Sequence, residues 1–266
     1  MTRVWSGAVL LLFAVGTVWF APALLFFTVA EVLLVAAFVE YVTLARESGV
    51  PVPAVPAGAA AVLCCAAFSR LAFGGVPGAP VDVVLMSVLV ALCALTLTRW
   101  RSGPDALGLA SASIFPSLYL GLPIGAMIAI RETRGREALF LLMLTVVVSD
   151  TAQYYCGRAL GRRPLAERIS PKKTIEGAIG GVVCGSGFLA IVGAWWLPVL
   201  PMLLRAALGV TVVALGIAGD LFESMLKRSA GVKDSSALIP GHGGVLDRID
   251  ALLFAAPVYY IVLKYV

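Results

Sequence analysis

The 266-residue sequence predicts an all-α integral membrane protein with about nine transmembrane helices and a cytoplasmic N-terminus. Three observations carry this. Only 13% of the residues are charged and 61% are hydrophobic, against about 25% charged in a soluble domain. Mean hydropathy is +0.99. The apolar residues come in continuous runs rather than in alternation. That favours helices over a β-barrel, because backbone polar groups in lipid have to be satisfied within the helix.

The runs fall at 4–21, 23–45, 54–73, 81–99, 106–130, 138–157, 177–197, 201–226 and 246–265, each near the ~20 residues that cross a bilayer. Pro22 separates the first from the second. Turn-rich stretches, ESGVPVPAVPAG and GGVPGAPVD, flank the third. The fifth contains Pro116 and Pro123 and is expected to be kinked or broken. The first run lacks a small-residue cleavage site before a polar domain, so it reads as a retained span rather than a signal peptide. The spans divide into an N-terminal group, 1–135, of about five, and a C-terminal group, 136–266, of about four. The second group has cytoplasmic loops at 158–176 and 227–246.

Fourteen of the twenty Lys and Arg residues fall on the side of the N-terminus under this topology, which the positive-inside bias makes cytoplasmic. RETRGRE runs against the rule, placing Arg131, Arg134 and Arg136 outside. The net charge of +5 then reflects basic loops and does not call for nucleic acid as a partner. The five cysteines lie in or beside apolar runs at no zinc-ligand spacing and read as small helix residues.

Charge gathers in two places. In the first, Asp220, Glu223, Ser224 and Lys227 are spaced i, i+3, i+4, i+7, so they share one face at the cytoplasmic end of the eighth span. The loop continues through Arg228, Lys233 and Asp234 to GHGG, whose Gly243 and Gly244 permit close backbone approach and whose amides suit phosphate oxygens. Asp247 and Asp250 then share a face as the ninth span opens. Carboxylates at two helix ends with Lys and Arg between them suit Mg²⁺, which takes oxygen ligands and substrate phosphates, with the cations neutralising the rest. The chain's one histidine, His242, suits either a phosphate hydrogen bond or a loop-shaping contact.

The second cluster is SDTAQYYCGRALGRRPLAERISPKKTIEGAIGG. Asp150 and Tyr154, one turn apart, are expected to face the same cavity as Asp220. Arg158 and Lys172 add positive charge, while Arg162, Arg163 and Arg168 read as a membrane anchor. Ser170-Pro171 is expected to set a turn, Lys173 and Thr174 to be phosphate ligands, and Glu176 to open the seventh span. Such a loop steers a polyanion inward. Elsewhere, Glu31 and Glu40 lie in the second span; Glu40 is close enough to its end to reach the interface, and Glu31 needs a partner.

The pattern S-x-L-K-R-x4-K-D-x-S-x2-I-P-x-H-G-G-V-x-D-R-I-D, from Ser224 to Asp250, resembles the motif of the phosphatidate cytidylyltransferase (CDP-diacylglycerol synthase) family. SDTAQYYCGR…GRR…SPKKTIEG is similar to that family's second region. The resemblance is firm over about 145–266. It implies a multi-pass inner-membrane enzyme, commonly a homodimer, with its active site on the cytoplasmic side. Such an enzyme condenses CTP with phosphatidic acid to CDP-diacylglycerol and pyrophosphate using Mg²⁺, with or without a second cation. Asp220 and Asp247 would be the metal carboxylates. Lys227, Arg228, Lys233, His242 and Arg248 would meet phosphates or support the loop, and Lys173 and Thr174 would help hold the nucleotide. Rival readings are a CTP-dependent polyprenol or phytol kinase and an anion or metal transporter. The D-G-x2-A-R pattern of CDP-alcohol phosphotransferases is absent.

Overall fold

A computed structural model describes residues 2–70, 80–99, 106–239, 241 and 243–266. His242 and Pro240 of the long motif lie outside the described residues, as does the end of the third predicted span. The described chain is helical apart from one small hairpin. The helices are α1 (Thr2–Trp19), α2 (Ala23–Glu47), α3 (Ala54–Ala66), α4 (Val81–Arg99), α5 (Ala106–Pro116), α6 (Leu122–Arg134), α7 (Arg136–Leu160), α8 (Ile175–Trp196), α9 (Met202–Ser229) and α10 (Leu246–Tyr265). Strands β1 (Pro164–Ala166) and β2 (Ser170–Thr174) lie between α7 and α8. Among the described residues, six helices are long and apolar enough to cross a membrane: α2, α4, the continuous Ala106–Arg134 rod, α7, α8 and α9.

Prolines do much of the punctuation. Pro22, Pro53 and Pro201 stand immediately before α2, α3 and α9, where a missing amide costs nothing. The fifth predicted span bends as its prolines require. Pro116 ends α5, a π-helical turn covers Ser117–Gly121, and Pro123 sits in the first turn of α6. The third segment is helical only over thirteen residues, about 20 Å of rise, short of a ~30 Å hydrocarbon core. A turn follows at once, with Phe68 and Ser69 amides bonded back to Cys65 and Ala66.

The charged residues of RETRGRE bond to backbone at other helix ends. Arg131 donates to the Val18 carbonyl at 3.1 Å and to that of Ala21, and Arg136 donates to the Trp19 carbonyl at 3.0 Å. Arg134 donates to the Leu263 carbonyl near the end of α10. Glu132 takes the Ser69 hydroxyl at 2.6 Å and the Arg70 amide at 3.0 Å. The last carbonyls of a helix lack intrahelical donors and attract cations. The three arginines therefore hold the ends of α1 and α10.

In the C-terminal half α7 packs along α8, α8 along α9, and α9 along α10. Small residues make these crossings close, the usual device where lipid supplies no hydrophobic drive between helices. At Gly219 a Cβ would stand 2.5 Å from the Asp250 carbonyl. Only glycine there lets α9 and α10 approach so closely, and its neighbour Asp220 is thereby held beside Asp250.

Candidate active site

A cavity of about 640 Å³ opens among α7, the hairpin, α8 and α9. Its walls are Asp150, Gln153, Tyr154 and Arg158 from α7, Ser170, Lys172, Lys173 and Thr174 from β2, Gly177 of α8, and Asp220 of α9. The hairpin puts the basic residues there. β1 and β2 pair antiparallel, Pro164 with Thr174 and Ala166 with Ser170. The turn therefore lies at 167–169, with the Ile169 amide bonded to the Ala166 carbonyl. The turn expected at Ser170-Pro171 is corrected: these residues open a strand, since extended pairing satisfies backbone groups that a tight turn there would strand.

Strand β2 delivers its last residue as a helix cap. Thr174 Oγ1 accepts from the Gly177 amide at 3.1 Å, satisfying one of the orphan donors of α8. Glu176 does not line the cavity. Its Oε2 accepts from the amides of Arg162 and Arg163 at 3.0 and 3.3 Å, tying the exit of α7 to the entry of α8. Arg228 holds the hairpin turn from the other side, donating to the Ile169 carbonyl at 3.5 Å and to Val232 at 3.2 Å.

Inside the cavity Lys173 is ion-paired with Asp220, and the Ser224 hydroxyl lies 3.5 Å from the other Asp220 oxygen. Asp150 accepts from the Gln153 amide at 3.0 Å, and Arg158 reaches the Tyr154 hydroxyl at 3.5 Å. Asp250 feels the charges of Asp220, Asp150 and Lys173, and Asp150 those of Asp220 and Lys173. Three carboxylates and one ammonium thus share a field at the junction of α7, α9 and α10. Lys172 and Arg158, both exposed, stand at the rim.

The rest of the long motif builds a second, buried network behind this one. Lys227 lies 2.5 Å from both Asp247 and fully buried Glu223. Asp247 also accepts the Ser235 amide at 3.0 Å, the Ser235 hydroxyl at 2.7 Å and the Gly244 amide at 2.8 Å. Four residues that share a helix face in projection therefore serve two sites: Asp220 and Ser224 the cavity, Glu223 and Lys227 the network. The Gly244 amide, suited from the sequence to phosphate, is already taken by Asp247. Gly243 instead offers its carbonyl to the Ile239 amide at 2.9 Å, while Lys233 and Asp234 are exposed.

Glu40, which by its place near the end of the second span reads as an interfacial residue, turns inward instead. It is 4% exposed and closes the network from α2. It accepts the Ser236 hydroxyl at 2.7 Å and the amides of Val245 and Leu246 at 2.9 and 2.8 Å, and shares with Asp247 the one proton of the Ser235 hydroxyl, 2.9 Å away. It thereby caps α10 with a carboxylate, the charge a helix N-terminus favours. A Cβ on Gly244 would stand 2.2 Å from the Ser235 hydroxyl and 2.4 Å from both Glu40 oxygens. Its signal in the sequence was the cost of a carboxylate in an apolar helix. Its partners lie some two hundred residues away.

The chain is similar to known proteins along most of its length. A phosphatidate cytidylyltransferase of Helicobacter pylori is 35% identical over 188 residues, 71% of this chain and 67% of that protein. One of Brucella suis is 39% identical over 189 residues, 67% of this chain and 65% of that protein. One of Mycobacterium bovis is 35% identical over 254 residues, 92% and 81%. The chain thus aligns with about two thirds of the first two relatives and four fifths of the third. The cytidylyltransferase family profile matches residues 1–266, which takes in the cavity, the hairpin, the Lys227–Asp247 network and α2 with Glu40: the chain belongs to the cytidylyltransferase family.

Proposed function

We propose that the chain is a phosphatidate cytidylyltransferase, joining CTP and phosphatidic acid to give CDP-diacylglycerol and pyrophosphate. The observation that carries this is the cavity itself. Lys172, Lys173 and Arg158 meet Asp150 and Asp220 at one end of apolar helices, a place reachable by both a soluble polyanion and a lipid headgroup. An oxygen of the phosphatidate phosphate attacks the α-phosphorus of CTP. The bond to the bridging oxygen of the β-phosphate breaks, and pyrophosphate leaves in line with the electron pair. A phosphate monoester is already ionised near neutral pH, so no strong general base is needed. The work is positioning and charge neutralisation, and the site accordingly offers Lys, Arg and carboxylates rather than a nucleophile with its base.

Mg²⁺, with or without a second cation, fits the donor set as a partner of substrate phosphates. No three Asp, Glu, His or Cys side chains among the described residues converge to cage an ion. Mg²⁺ in such sites uses one or two carboxylates and takes its other ligands from phosphates and water. Asp220 would hold it, giving up Lys173 to a phosphate. Asp247, in the network behind the cavity, is the second carboxylate that would hold it. When bound, the ion supplies charge neutralisation at the transferring phosphate. Lys173 and Thr174 are assigned to the nucleotide, and Lys227, Arg228, Lys233, His242 and Arg248 to phosphates or loop support.

The reading extends to topology and assembly. Nine spans with a cytoplasmic N-terminus add α1, α10 and the third apolar run, 54–73, of which α3 forms only the first part, to the six long apolar helices, in a bacterial inner membrane, as a homodimer. The contacts support the parity of these spans. The end of α2 and the end of α9 meet the start of α10 through Glu40 and Lys227. The ends of α1, α6 and α10 meet through the arginines. Purified protein given CTP, phosphatidate and Mg²⁺ tests the reading: CDP-diacylglycerol with pyrophosphate is expected. CDP release would indicate a lipid kinase, and no turnover at all would return the transporter reading.

A further inference from the structure

Three tyrosines are buried among the described residues: Tyr41, Tyr119 and Tyr259. Two give their hydroxyls to backbone, Tyr41 to the Ala112 carbonyl at 3.3 Å and Tyr259 to that of Ala138 at 2.9 Å. The Tyr119 hydroxyl is buried and has no hydrogen-bond partner among the described residues. Leaving such a donor unmet is costly, and native interiors rarely do so. Tyr119 belongs to the π-helical turn Ser117–Gly121, a distortion that recurs at functional sites.

This turn brings Tyr119 onto the two helices that carry the metal carboxylates. Its ring packs edge-on against Phe222 and Phe254, with centroids 5.4 and 6.4 Å away. Phe222 adjoins Glu223 on α9, and Phe254 lies one turn beyond Asp250 on α10. The hydroxyl feels the charges of those two carboxylates, and Glu223 feels that of Asp250. Glu223 is fully buried. Apart from its ion pair with Lys227, neither of its oxygens takes a hydrogen bond among the described residues. Asp250 engages the Ala251 amide at 2.7 Å, one of the roughly four bonds a carboxylate can accept. One donor and two acceptors that lie in each other's field without bonding suit one molecule. Water accepts from the first and donates to the other two, and buried waters make about three such bonds to groups otherwise unmet.

We infer that one internal water joins the Tyr119 hydroxyl to the carboxylates of Glu223 and Asp250, and that Tyr119 is thereby a positioning residue for the reaction. The hydroxyl donates to the water, and the water donates one hydrogen to each carboxylate. Asp250 shares the field of Asp220 and Lys173 in the cavity, while Glu223 holds Lys227 beside Asp247. The water therefore links the cavity to the network behind it, and it does so from an N-terminal span. The kinetic role rests on the functional reading above; the water itself does not.

The water is tested by X-ray radiolytic labelling of full-length protein in phosphatidylcholine nanodiscs. Hydroxyl radicals form where water is bound and oxidise the side chain beside it, and the oxidised sites are mapped by mass spectrometry. Tyr119 is expected to oxidise about tenfold faster than Tyr259, which is also buried but has its hydroxyl on a carbonyl. Equally slow oxidation of the two overturns the inference, and that result depends on no variant. Tyr119→Phe keeps the ring and removes the donor. It is expected to lower kcat for CDP-diacylglycerol formation about tenfold, the scale of one hydrogen bond to a charged group, with KM for CTP and melting temperature nearly unchanged. Tyr259→Phe, which also loses a buried hydroxyl bond, is expected to keep kcat. Unchanged kcat in Tyr119→Phe, or an equal loss in Tyr259→Phe, refutes the positioning role. Wild-type protein that labels at Tyr119 but makes no CDP-diacylglycerol refutes the functional reading and leaves the water in place.

Discussion

Two carboxylates carry the account at the level of single residues, and they are held differently. Asp220 faces the cavity with Lys173 as its partner, whereas Asp247 is buried in four donors. Asp220→Asn is expected to lower kcat by at least 10²-fold, the scale for losing one charge-positioning group, while melting temperature changes little. Asp247→Asn is expected to abolish turnover and lower melting temperature, because it leaves Lys227 facing buried Glu223 alone. Glu40→Ala strips acceptors from the Ser236 hydroxyl and two amides, leaving the Ser235 hydroxyl to Asp247. Unmet buried donors cost about 1–3 kcal/mol each, so thermal unfolding should shift as far as for Asp247→Asn. Glu40→Gln should restore part of the stability. Much of this site was legible. Asp220, Asp247 and the basic residues of β2 announce themselves as charges in a greasy chain. Glu40 did not, because a carboxylate near the end of a span reads equally well as an interfacial residue. Its role is defined by Ser235 and Val245, which only folding brings to it.

Among the elements, the hairpin and the arginine-capped helix ends were the least visible in the sequence. SPKKT has no strand signature, and Pro171 argues for a turn. The strand forms because Thr174 caps α8 and Glu176 ties down the amides of Arg162 and Arg163, fixing both ends of the loop. The helices were legible because each is a continuous apolar run. Only α3 fell well short, where composition continued past the point at which the backbone turns. The arginines of RETRGRE separate two explanations by experiment. If they cap α1 and α10, Arg134→Gln should lower melting temperature by a few degrees and leave kcat and membrane orientation unchanged. If they set topology, a reporter fused at the C-terminus would change sides instead.

Viewed whole, the molecule gathers its lysine–carboxylate clusters at one end of an apolar bundle and divides them by depth. The outer part is a wet cavity that Lys172 and Arg158 rim. Behind it, a buried network of Glu40, Glu223, Lys227, Ser235 and Asp247 fixes the loop joining α9 to α10. A polyanion drawn to such a rim is sensitive to screening over a Debye length of about 8–10 Å at physiological salt. KM for CTP should therefore rise with ionic strength while kcat stays nearly constant. The central claim is attack at the α-phosphorus, and CTP labelled at that position tests it most directly. Incubated with phosphatidate, Mg²⁺ and the purified protein, the label should enter the lipid fraction as pyrophosphate accumulates in equal amount. Label remaining in the aqueous phase as CDP, with the γ-phosphate on the lipid, would contradict the account.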